Sequence, residues 1–360
     1  MKAILMLEDG KIFPGLAIAG LGEAVGEVIF NTAVVGYQEM LTDPANANKI
    51  LVLTYPLIGN YGVAPKFNES RNMWLSGLVI KENSRIVSNW QAKSSLIDLL
   101  KEKKLPVLNA ADTRTITVHL RQKGQMVGII STRTTDPKAL SSKIADFKRK
   151  VGPSLLPKIS LNKISPFAKN KARKKRIAIL DLGITTSILR QLQALDFSLS
   201  ILPYNTLAQD IMRLKPHGLV ISNGPEEDPG LKDVVLNLKP LIGCLPILGI
   251  STGHQVLAMA LGAKITKMRL GHHGVNYPMH NPKSFKGEIT VQNHSWVVDT
   301  ESLNRVKEIR ITGYNLNDRS VEEIESKKLK LLGVQYYPLS PGFNQVNEVF
   351  KRFSKMLTKE

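Results

Sequence analysis

Residues Gly249-Ile250-Ser251-Thr252-Gly253-His254-Gln255 decide the fold. An apolar run, Leu245 to Ile250, leads in with the length and composition of a buried strand. Val256, Leu257, Met259, Ala260 and Leu261 lead out at helical spacing. Together they predict a sharp strand-to-helix turn with Ser251 at its tip. Such a turn lifts one side chain to a helix N-terminus, where unpaired N–H groups and the helix dipole favour developing negative charge. Here the tip carries a hydroxyl, and no evident base follows it in the chain.

Upstream of that turn, strands and helices alternate. Arg176 to Leu180 reads as a strand, Ile184 to Leu195 as a helix and Ser198 to Pro203 as a strand. Thr206 to Leu214 reads as a helix, and Gly218 to Ser222 as a strand ending in Asn223-Gly224-Pro225. This rhythm predicts βαβ units in a doubly wound, mainly parallel sheet, whose sites gather at the carboxyl ends of strands. The N-terminal part differs. Ala3 to Leu7, Glu27 to Asn31, Ile50 to Tyr55 and Trp74 to Ile80 read as strands, with helical patterns at Ser95 to Lys101 and Thr115 to Lys123. That is a mixed α/β domain rich in strands. No acidic residue falls between Asp146 and Asp181, and Pro153, Pro157 and Pro166 punctuate the stretch. The expected organisation is a domain over 1–150, a basic linker over 151–174 and a second domain over 175–360.

Composition narrows the function classes. With 43% hydrophobic and 22% charged residues the chain is an ordinary globular sequence, and its apolar runs are strand-sized, too short to span a bilayer. The acidic N-terminal decapeptide reads as a strand and turn, not a signal peptide. A single cysteine, Cys244, excludes an intrachain disulfide and a cysteine-cluster metal site. It lies one strand before Ser251 and reads as a small buried hydrophobe. The expected compartment is the cytoplasm. A net charge of +19, with a concentration at Lys169, Lys171, Arg173, Lys174, Lys175 and Arg176, suits an acidic partner or anionic ligands. No aromatic stacking pattern accompanies it, which argues against nucleic acid.

The motifs resemble those of class I glutamine amidotransferases. Ser222-Asn223-Gly224-Pro225 is similar to that family's oxyanion loop, and the Ser251 turn to its nucleophile elbow. Gln292-Asn293-His294 and Val334-Gln335-Tyr336-Tyr337-Pro338 are similar to two later motifs. The first domain narrows the resemblance to the small subunit of carbamoyl-phosphate synthetase. It does so through Leu7-Glu8-Asp9-Gly10, Gly26-Glu27-Val28-Ile29-Phe30-Asn31-Thr32, Gly36-Tyr37-Gln38-Glu39 and Leu41-Thr42-Asp43-Pro44. Thr54 through Gly62, Asp112-Thr113-Arg114 and Gly271-His272-His273-Gly274 with Asn276 and Pro278 extend it. The resemblance implies a chain that hydrolyses glutamine and passes ammonia to a large subunit. That partner would make carbamoyl phosphate from bicarbonate with ATP and Mg, for arginine and pyrimidine synthesis. It implies no cofactor bound by this chain.

The resemblance also implies a Cys–His–Glu triad, and all three positions are substituted: Ser251, Tyr337 and Leu339. A phenol ionising near ~10 is a poor stand-in for imidazole, and an aliphatic side chain orients nothing. The implied glutamine pocket falls on Ala45, Gly224, Glu226, Thr252, Gln255, Asn293, Ser295 and Trp296. Ala45 stands where a serine is usual, Thr252 where a leucine is, and Ser295-Trp296 where a Gly-Phe pair is. Glu226 replaces a glycine and, beside a developing oxyanion, would repel it. Gly224, Gln255 and Asn293 match the family. Glutamine binding is therefore expected to be weak or absent. By the same resemblance His254 is a family residue that is not the base, His272, His273 and His294 are expected to be structural or interface residues, and no metal is expected.

Three readings remain open on sequence. The first is a synthetase small subunit that has lost glutamine hydrolysis and works in an ammonia-dependent or structural role. The second is a repurposed, non-enzymatic protein binding an acidic protein or nucleic acid. The third is a hydrolase with a rebuilt Ser–His pair, since triads are defined by geometry, not order.

Overall fold

Near-continuous apolar runs in the N-terminal region produce strands that are buried on both faces. In Lys2–Leu7, Ala3, Leu5 and Leu7 join a cluster with Val28, Ile50, Val52, Val79, Leu108 and Ile130. Ile4 and Met6 turn the other way, towards Leu140 and Ile144 of the helix Pro137–Arg149. Lys49–Leu53 divides in the same manner, Leu51 and Leu53 facing Tyr37, Leu41, Leu96 and Leu100. The strands Lys2–Leu7, Ile12–Ala17, Val107–Asn109, Gly77–Val79, Lys49–Leu53, Glu23–Asn31 and Met126–Ser131 close in that order into a barrel. Closure removes the sheet edges that a strand-rich domain otherwise exposes.

The computed structural model describes residues 1–149, 152–167, 175–282, 287–342 and 345–357. Two units result: Met1–Pro153 with Arg269–His273, and Ser154–Met268 with Gly274–Glu360. Of the basic concentration, Lys169, Lys171, Arg173 and Lys174 lie outside the described residues.

The second unit holds a ten-stranded sheet. Ser198–Pro203, Arg176–Asp181, Gly218–Ile221, Ile247–Ile250 and Leu331–Val334 run parallel at its centre. From Leu331–Val334 outward, Val321–Ser326, Arg310–Asn315 and the long strand Ile265–His280 continue antiparallel. The parallel strands bury both faces. Ile177, Ile179, Leu248 and Val334 pack under Ile188, Leu192, Phe350 and Phe353 of the helices Thr186–Ala194 and Glu348–Met356. Ala178, Leu180, Leu219 and Ile247 pack under Val234, Leu238, Val256 and Leu257 of Leu231–Leu238 and Thr252–Ala260. This is the doubly wound arrangement expected, with an antiparallel flank that the helix–strand rhythm did not announce. Among the described residues no helix is long and apolar enough to cross a membrane.

Two expectations need correction. Residues 154–167 are not a linker but part of the second unit. Leu156 and Ile159 are buried in a short helix, and Asp228 accepts from Ser154 Oγ and from the N–H groups of Leu155 and Leu156 at 2.5, 2.5 and 3.3 Å. The sparse acidic content hid the apolar pair within it. Cys244 is exposed, not buried. The strand starts only at Ile247, which leaves Cys244 in the preceding turn with Sγ against Pro240 O at 3.3 Å. Because Leu156 sits wholly within the second core, Leu156→Ala is expected to cost about 2–5 kcal/mol in denaturant unfolding. A true linker residue would cost almost nothing.

Candidate functional site

Ser251 sits between the strand Ile247–Ile250 and the helix Thr252–Ala260 with φ 52° and ψ −111°, left-handed backbone that an L-residue adopts only under constraint. Its N–H donates to Val334 O at 2.8 Å, and its carbonyl accepts from Gln255 N–H at 3.1 Å. The turn depends on two glycines. A Cβ at Gly253 would lie 2.1 Å from Ile221 O, and one at Gly224 would lie 2.1 Å from Leu182 O. The helix start and the loop after Gly218–Ile221 are thus pressed against strand ends as closely as backbone permits. The elbow expected from sequence is therefore present in full.

The side chain at its tip is enclosed. Ser251 has no exposed surface, and its Oγ has no hydrogen-bond partner among the described residues. Tyr337 is buried, and its Oη accepts from Asn223 Nδ2 at 3.3 Å, an amide rather than a group that could take a proton. Leu339 is half-buried and offers only its backbone, its carbonyl accepting from Asn347 Nδ2. The three positions do not form a proton relay.

Among the described residues no histidine hydrogen-bonds to Ser251 Oγ. His254 is wholly buried, and neither ring nitrogen has a well-formed hydrogen bond; burial pushes its pKa down to about 3, with the Gly333 backbone opposing. It stays neutral near ordinary pH. His294 has both ring nitrogens engaged, with Trp296 O at 3.0 Å and Gln292 Oε1 at 2.8 Å. His273 meets Gln125 Nε2 within the first unit.

The pocket positions are brought together in an unexpected way. Thr252 Oγ1 donates to Gly224 O at 2.6 Å, so the residue that replaces leucine fastens the oxyanion loop to the helix. Glu226 is buried, and its carboxylate accepts from Ser295 N–H at 2.6 Å, Gln255 Nε2 at 2.7 Å and Trp296 N–H at 3.3 Å. Gln255 Nε2 also reaches Trp296 O and Gln335 Oε1, at 2.9 and 3.3 Å. The expectation that Glu226 acts by repelling an oxyanion gives way to a different picture, in which its carboxylate is bound by neighbouring pocket positions. Glu227, next in the loop, accepts from Trp296 Nε1 and pairs with Lys267, whose Nζ lies 5.9 Å from the Trp296 ring. Nothing in the sequence joined Lys267 to this rim, because the partners are far apart in the chain. Asn293 is half-buried on the same strand as Ser295 and Trp296. Ala45 belongs to the first unit, buried in a short turn where its N–H donates to the Asp43 carboxylate at 3.0 Å.

Residues 5–130 match the family described as carbamoyl-phosphate synthase small chain, CPSase domain, and residues 178–355 match glutamine amidotransferase class-I. Over its whole length the chain is 38% identical to a carbamoyl phosphate synthase small chain of Syntrophotalea carbinolica and 39% identical to that of Chlorobaculum tepidum, covering 98% of each. The chain belongs to the carbamoyl-phosphate synthase small chain family. A relative from Bacillus subtilis, a pyrimidine-specific small chain, is 36% identical over 99% of this chain and 96% of its own. The class-I amidotransferase match spans the elbow and the doubly wound sheet.

A buried hydroxyl with no partner costs about 1–3 kcal/mol of desolvation that nothing returns. Ser251→Ala is therefore expected to raise unfolding stability by about 1 kcal/mol, read from the denaturant midpoint at constant m-value. A loss of stability of that size would mean that the hydroxyl has a partner after all.

Proposed function

We propose that this chain is a carbamoyl-phosphate synthase small subunit that supports its large partner without hydrolysing glutamine. The observation that carries this reading is the solitary Ser251 hydroxyl. Acyl transfer from a carboxamide needs a nucleophile freed of its proton, and that requires a base in hydrogen-bond reach. Ser251 Oγ has none among the described residues, and the family's histidine and glutamate positions carry Tyr337 and Leu339. Nitrogen would then enter as free ammonia, with ATP and Mg handled by the large subunit, in the cytoplasm and in service of arginine or pyrimidine synthesis. No histidine hydrogen-bonds to Ser251 Oγ among the described residues, and His294 has both ring nitrogens engaged, which makes a rebuilt Ser–His site the weaker alternative.

The reading is tested on the complex of this chain with its large subunit. Carbamoyl phosphate should form with ammonium, while glutamate release from L-glutamine should run about 10³-fold or more below the ammonium-supported rate. Glutamate release keeping pace with ammonia-supported synthesis would sink it.

The first unit carries a face suited to that partner. Gly36 and Tyr37 donate their N–H groups to Tyr61 Oη at 2.7 and 3.1 Å, and the two tyrosine rings stack 4.1 Å apart. Burial pushes the Tyr61 phenol up to about 12, so it remains a neutral group. Ser88 N–H donates to Asn60 O at 2.9 Å. Three loops converge in this way and display Val34, Val35, Ile86 and Trp90, the last two 76% and 89% exposed. Exposed aromatic and branched side chains held on bound loops are typical of interface anchors. Trp90→Asp is expected to weaken association with the large subunit at least ~10-fold while changing unfolding stability by no more than about 0.5 kcal/mol. Unchanged association would place docking elsewhere.

A further inference from the structure

The Glu226 carboxylate is bound as a ligand is bound. Ser295 N–H and Trp296 N–H, on one strand, and Gln255 Nε2, one turn into the elbow helix, converge on its two oxygens from two separate elements. Oε2 takes the Ser295 N–H, and Oε1 takes both Gln255 Nε2 and the Trp296 N–H. Converging donors in a buried setting make a strong acceptor site, since an N–H left there without an acceptor would be costly. The loop that delivers Glu226 is anchored on both sides. Thr252 Oγ1 holds Gly224 O before it, and Glu227, with Lys267 and Trp296 Nε1, closes the rim after it.

We propose that Gln255, Ser295 and Trp296 form a small-carboxylate site that the chain keeps filled with its own Glu226 side chain, so that no free amino acid enters it. This rests on the reading of the chain as a non-hydrolysing small subunit and adds a cause that triad loss does not supply. Restoring a nucleophile and base would still leave the pocket closed. The same carboxylate ties the loop over 224–229 to the strand Gly287–Val298 and the elbow helix, so the plug also holds the loop in place.

Binding to the intact chain tests the proposal, with L-glutamine and acetate as probes from about 0.1 to 100 mM, followed by thermal shift. The wild-type chain should show no saturable shift with either. Glu226→Gly removes the plug and should bind acetate saturably, with an apparent Kd at least ~10-fold below any wild-type value. Gln255→Ala in that background should weaken the gain. Glu226→Gln keeps the pocket filled while setting an amide N–H against a backbone N–H, and should gain no acetate binding. Saturable wild-type binding equal to that of Glu226→Gly would overturn the proposal, as would a folded Glu226→Gly that binds neither probe.

Should Glu226→Gly fail to fold, amide hydrogen exchange on the wild-type chain decides. Ser295 and Trp296 should be strongly protected, and L-glutamine should leave that protection unchanged. Fast exchange that L-glutamine slows would overturn the plug. A wild-type chain that binds L-glutamine yet releases no glutamate would defeat this inference alone. Glutamate release by the complex would defeat the functional reading beneath it.

Discussion

The closest constraint in the second unit is the approach of the elbow helix to the strand ends. With Gly253 pressed against Ile221 O, the helix start, the end of Ile247–Ile250 and the loop after Gly218–Ile221 cannot move independently. That packing sets Ser251 in left-handed backbone, places Gln255 one turn along, and brings the oxyanion loop within reach of Thr252. Every other feature of the site is built on these positions. A scaffold so tightly determined resists change, because loosening it would disturb two hydrophobic layers at once.

The substitutions at the site are of two kinds. Ser251, Tyr337 and Leu339 stand at the positions that the resemblance gives to a triad. Thr252 and Glu226 add contacts. A hydroxyl on Gly224 O and a carboxylate on three donors tie these positions to one another. The second kind has a physical logic of its own. Donors arranged to meet a carboxylate become unsatisfied when no ligand comes, at about 1–3 kcal/mol each, and an internal acceptor relieves that cost permanently.

Much of this was legible in the sequence, for reasons that differ by element. The helix around Val256 and Leu257 and the strands Ser198–Pro203 and Gly218–Ile221 follow from local periodicity, and the structure places them within a residue or two of expectation. The triad positions follow from motif order alone. The barrel closure, the antiparallel flank and the assignment of 154–167 to the second unit were not legible, because each depends on pairing between distant segments. Asp228 capping Leu155 and Leu156 is a case in point, since no local pattern links those residues. Cys244 misled because an apolar run was taken to begin two residues before its strand does.

Glu226 shows how a residue can be found and still be misread. Substitution of a glycine by an acid beside an expected oxyanion argues for repulsion, and repulsion is all that charge and position can say. Which way the side chain turns depends on where unsatisfied donors lie, and those come from Gln255 and from a strand distant in the chain. A carboxylate in open solvent near the elbow would hinder catalysis by its field. A carboxylate buried on two N–H groups and an amide instead occupies those donors itself. The difference is one of hydrogen-bond geometry rather than charge.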